Sequence, residues 1–312
     1  MSSYWRDREL EHIKKMIKND AAVARRIRQK YTDAMNEIQT QIDAFYGRYA
    51  DKEGITMTEA RKRARKLDIE AYSKKAKRYV EAAHSGKRSE AFSQKANEEM
   101  RLYNMTMKVN RLELLKANIE LELFALASDE ERILFEYLTE SARAEYKRQA
   151  GILGESLNHN EKNIQSIVNS SFLNAKWSDR LWDNQDALRS ELDRLLSRGI
   201  LQGKNPRELA RVLRKKFDTS IANSERLMRT ESARVQQDVF QDCMEQSGFD
   251  AYEFIAEPDA CPECAALDGK VFPLKDAEVG VNAYPMHPNC RCSQAAAMDR
   301  EEWDRKLKER GL

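Results

Sequence analysis

The stretch MTMKVNRLELLKANIELELFALASDEE, residues 105–131, sets the fold class. Met105, Val109, Leu112, Ile119, Leu123 and Leu126 recur at steps of three, four and seven residues, which places them on one face of an α-helix and turns Lys108, Arg111, Glu113 and Glu120 elsewhere. A face this apolar has to pack on another helix. At its end Ser128-Asp-Glu-Glu131 has the form of a capping box, whose serine oxygen and glutamate carboxylate satisfy the free N–H groups of a helix start. The pattern predicts a new helix running into Ile133, Leu134, Tyr137 and Leu138, and hence a helical hairpin.

Working outward, the chain from Trp5 to about Ala150 has no run of alternating β-branched residues and few turn signals, so residues 1–150 read as an extended helical arm. Composition agrees: 34% of the 312 residues are charged, with only 11 Gly and 6 Pro, a profile of long solvated amphipathic helices. The 54 basic and 52 acidic residues nearly cancel, which excludes a polycation that coats nucleic acid along its whole length. Basic charge is instead local. Arg61, Lys62, Arg63, Arg65, Lys66, Lys74, Lys75, Lys77, Arg78, Lys87 and Arg88 face only Asp68, Glu70 and Glu81, and this segment is a candidate contact for DNA or an acidic partner. A solvated helix face, with Tyr72, Tyr79 and Val80 packing, is the competing reading. No apolar run approaches the roughly 20 residues needed to cross a bilayer, and the N-terminus lacks the apolar segment of a secretory signal; the expectation is a soluble protein that folds in the cytoplasm.

Gly151 and Gly154 mark a boundary, after which 151–248 form a second helical part. Ser178 is placed to cap a helix carrying Leu181, Trp182, Leu188, Leu192, Leu195 and Leu196 and ending near Gly199. Asn205-Pro206-Arg-Glu208 is an N-cap, a first-turn proline and a capping carboxylate in sequence. The helix it opens carries Leu209, Val212, Leu213 and Phe217; Asp218-Thr-Ser220 reads as a break, and a further helix runs through Leu227, Met228, Val235 and Val239 to a stop at Gly248.

Past Gly248 the composition changes. Five of the six prolines fall between Pro258 and Pro288, Ala251–Ala256 has strand composition, and Lys270-Val-Phe272 is a second short strand. Residues 249–298 therefore form a small β/loop module, and 299–312 a charged C-terminal helix with Trp303 and Leu307 as its apolar stripe. The fold class that results is mainly α: an extended helical N-terminal arm and helical middle with a small α+β, Cys/His-stapled C-terminal module.

Four of the five cysteines lie in that module, as Cys261-x-x-Cys264 and His287-x-x-Cys290-x-Cys292. In a reducing compartment such clustering reads as metal ligation before disulfides. A Cys-x-x-Cys step brings two thiolates to one tetrahedral ion and a second pair closes the site, as in structural zinc centres. Cys261, Cys264, His287 and Cys290 are the preferred set, with Cys292 the substitute; the alternative is that some of these cysteines are small buried hydrophobes. A zinc deaminase would place His-x-Glu before Pro-Cys-x-x-Cys, but His159-Asn-Glu161 lies far upstream and Ala260 precedes Cys261. Cys261-Pro-Glu-Cys264 lacks the βαβ setting of a thiol oxidoreductase, and Glu263 and Asp268 are too ordinary in so acidic and basic a chain to mark a hydrolase. No phosphate-binding glycine loop or His-Glu-x-x-His pair is present. The module reads as structural and the protein as no enzyme.

Several segments in order resemble the phage head morphogenesis family typified by protein F of phage Mu: Gly199-Ile-Leu-Gln-Gly203 before the Pro-started helix, Arg229-Thr230-Glu231-Ser-Ala-Arg234, Cys261-x-x-Cys264-x-x-Leu267-Asp-Gly269-Lys, and His287-Pro-Asn-Cys290-Arg-Cys292. The resemblance covers about Phe172 to Ala297. It implies a minor head protein made in the bacterial host cytoplasm and carried in the virion, at the head interior or portal vertex. Its implied partners are the portal protein, scaffolding or major capsid protein, and double-stranded DNA during packaging or delivery. Arg229, Thr230, Glu231 and Arg234 read as structural, holding helices together. The competing reading is a zinc-stabilised intracellular nucleic-acid-binding protein, built on the Arg61–Arg88 segment.

Overall fold

A computed structural model describes residues 3–50, 74, 78, 111–153, 157, 160–201, 204–297 and 305. Its helices are α1 (Ser3–Ala50), α2 (Arg111–Leu153), α3 (Glu161–Val168), α4 (Trp177–Leu201), α5 (Pro206–Gln246) and α6 (Pro262–Ala265); its strands are β1 (Ala251–Ile255), β2 (Val271–Pro273) and β3 (Ser293–Ala296). A mainly helical protein with a small C-terminal sheet near the Cys/His residues is thus the observed class. None of the described helices is long and apolar enough to cross a membrane. The C-terminal helix expected over 299–312 lies outside the described residues except at Arg305, which is helical.

The chain forms two compact units, each discontinuous in sequence: Met1–Arg25, Leu134–Trp177 and Glu225–Leu312 make one, Arg26–Ile133 and Ser178–Ser224 the other. In the second unit, Ile27, Ile38 and Ile42 of α1, Leu112, Ile119, Leu123 and Leu126 of α2, Leu181, Leu188, Leu192 and Leu196 of α4, and Leu209, Leu213 and Phe217 of α5 are buried, and four helical segments bury their apolar stripes together. The close approach of α4 and α5 needs a glycine. A Cβ on Gly199 would stand 2.3 Å from the buried Leu209 side chain.

All four segments also meet at one polar point. The Tyr31 hydroxyl lies 2.7 Å from Glu130 Oε2, 2.8 Å from Ser224 Oγ and 3.3 Å from Ser220 Oγ, and Gln185 Nε2 donates to both Tyr31 and Glu130. Glu130 is 1% exposed with no cation paired to it among the described residues, and burial pushes its carboxyl up from the ordinary range despite the donors from Ser224, Tyr31 and Gln185. The stabilisation that this group contributes is therefore complete below the ordinary carboxylate range and is lost as pH climbs from there towards the raised folded value. Glu130→Gln, neutral at every pH, will gain on the wild type as pH rises, by at most about 1.4 kcal/mol per pH unit in that window. Urea unfolding of both proteins at a series of pH values checks this; parallel curves would show that Glu130 folds ionised.

This hub corrects two expectations. Ser128–Glu131 does not start a helix: α2 runs unbroken from Arg111 to Leu153, and Glu130 within that stretch is bonded to Tyr31. Nor does Asp218-Thr-Ser220 break α5, continuous from Pro206 to Gln246: Ser220 is buried on Tyr31, and Thr219 Oγ1 donates back to Lys215 O. The predicted starts and stops elsewhere are close to those observed. Asn205 Oδ1 accepts from Arg207 N at 2.9 Å to open α5, α4 begins at Trp177 and continues past Gly199 to Leu201, and α5 closes at Gly248, where φ is +69° and Phe249 N reaches back to Met244 O at 3.0 Å.

In the first unit the buried faces of α1 (Ile13, Met16, Val23), α2 (Leu134, Leu138, Tyr146), α3 (Ile164, Val168) and α5 (Met228, Val235, Val239, Phe240) share a core with the sheet residues Tyr252 and Phe254. The sheet is antiparallel in the order β2-β1-β3, with Tyr252 opposite Phe272 on one side and Ala296 on the other.

Candidate metal centre

The loop after β1 folds back at once. Ala256 N donates to Asp268 Oδ1 at 2.9 Å, and Cys261 precedes the single turn of α6, opened by Pro262 in its first position. Leu267-Asp-Gly269 then turns the chain into β2, with Gly269 at φ +74° and its N–H on Phe254 O at 2.8 Å. These bonds place Cys261 and Cys264 beside the end of β1. The opposing ligands come from a second tight turn, His287-Pro-Asn-Cys290, in which Asn289 takes φ +68° and Cys290 N donates to His287 O at 3.1 Å. Thr230 Oγ1 on α5 accepts the Asn289 N–H at 3.1 Å, fixing that turn to the helical core.

His287 Nε2 lies 3.2 Å from Cys261 Sγ and 3.4 Å from Cys264 Sγ, and Cys264 Sγ lies 3.9 Å from Cys290 Sγ. Ligands around tetrahedral zinc stand about 3.8 Å apart for sulfur pairs and about 3.5 Å for sulfur and nitrogen, so these separations fit. Cys264 is common to two triads, Cys261–Cys264–His287 and Cys264–Cys290–Cys292. The His287 Nδ1 is 2.9 Å from Pro288 O, a bond that holds the proton on Nδ1 and leaves the Nε2 lone pair for a metal.

Proton affinities in the cluster are uneven. The hydrogen bond with Cys292 draws Cys290 down to about 5, and the same bond drives Cys292 up. Burial raises Cys264, whereas the Cys264 backbone N–H lowers Cys261. The bond to Pro288 O raises His287. Such a donor set loses protons to a thiophilic cation. Cys264, Cys290 and Cys292 pack with Ala233, Phe254, Ala256 and Tyr284 in one apolar cluster.

The Arg229–Arg234 segment lies on α5. Arg229 O accepts from Arg291 at 2.6 Å, Thr230 Oγ1 donates to Arg226 O as well as accepting from Asn289, and Arg234, 2% exposed, pairs with the fully buried Glu231 at 2.7 Å. The rest of the Arg234 guanidinium reaches Asp238 and Ser170 Oγ and the Ile167 and Val168 carbonyls at the end of α3. Of the basic segment, Lys74 and Arg78 are helical and exposed; Arg61, Lys62, Arg63, Arg65, Lys66, Lys75 and Lys77 lie outside the described residues.

One group that sequence reasoning missed is Arg291, between the two last cysteines. It is buried and bonded to Asp20 of α1, Arg229 O and Ser232 Oγ. About three turns earlier on α1, Glu9 takes a 2.7 Å bond from Ser293 and a 2.5 Å ion pair from Arg148. Arg148 also holds Glu145 down at about 2 although burial alone would raise it. Asp20 carried a signal: it interrupts the apolar face Ile13, Met16, Val23, Ile27 of α1, where a carboxylate must have a buried partner.

The chain is thus a helical protein whose C-terminal β module is gathered round a Cys/His cluster. Residues 190–295, from the middle of α4 to β3, match the family described as Phage Mu protein F like protein. The match covers that Mu F-like region alone, about a third of the chain. No curated protein and no solved structure matches it.

Proposed function

We propose that the protein is a non-enzymatic minor head protein of a tailed bacteriophage, seated at the portal and taking part in head morphogenesis, with a structural zinc in its C-terminal module. The single observation that carries the reading is the Mu F-like match over 190–295, which includes every cysteine of the cluster. The polar groups within it serve packing: Thr230, Arg234 and Arg291 each bind another part of the same unit, and Glu231 pairs with Arg234 on its own helix. Cys261, Cys264, His287 and Cys290 would hold the zinc, with Cys292 as the alternative ligand; the ion would supply a cross-link between two turns in a module too small to hold itself by apolar burial alone. The protein's own residues fix those turns, through Asp268 on one side and Thr230 on the other.

Tagged protein expressed with the neighbouring head genes will co-purify with the portal protein, and mature virions will contain it in few copies. Its absence from both procapsids and virions would sink the assignment. Elemental analysis of the purified protein will give one zinc per chain.

A further inference from the structure

The four cysteines of the cluster are not equivalent towards solvent. Cys264, Cys290 and Cys292 are at most 4% exposed and belong to the apolar core of the module. Cys261 packs on the edge of that core, half-buried, and the two residues after it, Pro262 and Glu263, are exposed. Its sulfur stands within 4.8 Å of Cys264 Sγ, but it shares no triad with Cys290 or Cys292. The turn joining the pair is closed, Ala265 N donating to Cys261 O at 2.9 Å. A reachable thiol set two residues before a buried one suits thiol–disulfide exchange, in which the first thiol attacks the reagent and the second displaces it.

We propose that Cys261 and Cys264 are a reversible dithiol–disulfide pair, oxidised by low-molecular-weight disulfides when the protein leaves a reducing compartment. Cys261 Sγ attacks one sulfur of the reagent, whose S–S bond breaks; one thiol departs and a mixed disulfide remains. Cys264 Sγ then attacks Cys261 Sγ, the mixed bond breaks and the second thiol departs. In the metal-free cluster the two cysteine protons end on the two departing thiols, and two electrons pass from the cysteines to the reagent. The competing pair, Cys264 and Cys290 at 3.9 Å, has no member that the reagent reaches. Because Cys264 is common to both triads, its oxidation takes the shared donor from either ligand set and releases any metal held there. The staple that closes the module in a reducing compartment is thereby opened in an oxidising one. The inference rests on the zinc reading only for the released ion.

The test treats the reduced full-length protein with oxidised glutathione, then unfolds it and alkylates the remaining thiols. Peptide mass mapping is expected to show one disulfide, Cys261 to Cys264, with Cys243, Cys290 and Cys292 alkylated, and dithiothreitol should return all five thiols. Where the protein carries zinc, a chromogenic chelator will register one ion released per disulfide. A bond that forms in metal-free protein still supports the pair and tells only against the zinc. Cys261→Ser should stop the reaction, and Cys243→Ala should leave it as in the wild type. Should Cys261→Ser not fold, the wild-type map decides alone. No disulfide under the oxidant, a bond from Cys264 to Cys290 or Cys292, or glutathione left on Cys261 without closure would each overturn the proposal.

Discussion

Cys264→Ser, or treatment of the wild type with a strong chelator, will unfold the C-terminal module and lower the melting temperature of the unit that contains it. Cys264 is the thiol shared by both triads and is 1% exposed, so no single remaining cysteine restores the set. Structural zinc contributes on the order of 10 kcal/mol to small domains that fold only with metal; here part of the module is also held by β1 and by bonds to α5, and a loss of several kcal/mol is expected. A cluster of merely buried cysteines behaves otherwise. Cys264→Ala would then cost about 1–2 kcal/mol for a lost small side chain, and chelation would change nothing. Thermal unfolding with and without chelator separates the cases, and amide exchange shows where the loss falls: 251–296 and, through Arg291 and Asp20, the first turns of α1.

Arg234→Met will cost about 3–5 kcal/mol, because it strands Glu231 in the core without its cation. It also removes a donor from the Val168 carbonyl at the end of α3, while the Ile167 carbonyl keeps the Ser170 N–H and hydroxyl. Arg234→Lys will recover little of this. One ammonium cannot reach Glu231, Asp238, Ser170 and two carbonyls at once, whereas the planar guanidinium spreads these contacts over Nε, Nη1 and Nη2. Glu231→Gln combined with Arg234→Met should regain part of the loss by removing the stranded charge. Urea denaturation of the four proteins tests the argument; an Arg234→Lys protein as stable as the wild type would refute it.

Much of this architecture is legible in the sequence. The stripe from Leu112 to Leu126, the Asn205-Pro206 start and the Gly248 stop are local signals; the structure repeats the start and the stop, although α2 and α5 each run through a predicted break. The Cys/His spacing likewise points to one site, since a two-residue step fixes how far apart two side chains stand. What escapes is whatever a distant partner decides. Ser128–Glu131 has the composition of a helix start, yet α2 runs straight through it and packs against segments distant in sequence, with Glu130 bonded to Tyr31 ninety-nine residues away. Strand β3 is Ser-Gln-Ala-Ala, without a β-branched or aromatic residue; it pairs because β1 offers a free edge and Cys290 and Cys292 bring it there. The Asp20–Arg291 bond spans 271 positions, and periodicity can show only that Asp20 needs a partner.

That span bears on when the protein can fold. The residues that neutralise Asp20 and engage Glu9 include Arg291 and Ser293, which follow them in the chain by 271 and 284 positions. Until these are in place the N-terminal helix exposes Ile13, Met16 and two carboxylates that the finished core buries. Its unit is therefore completed only once Arg291 and Ser293 have been made and the loop that joins them to α1 has closed.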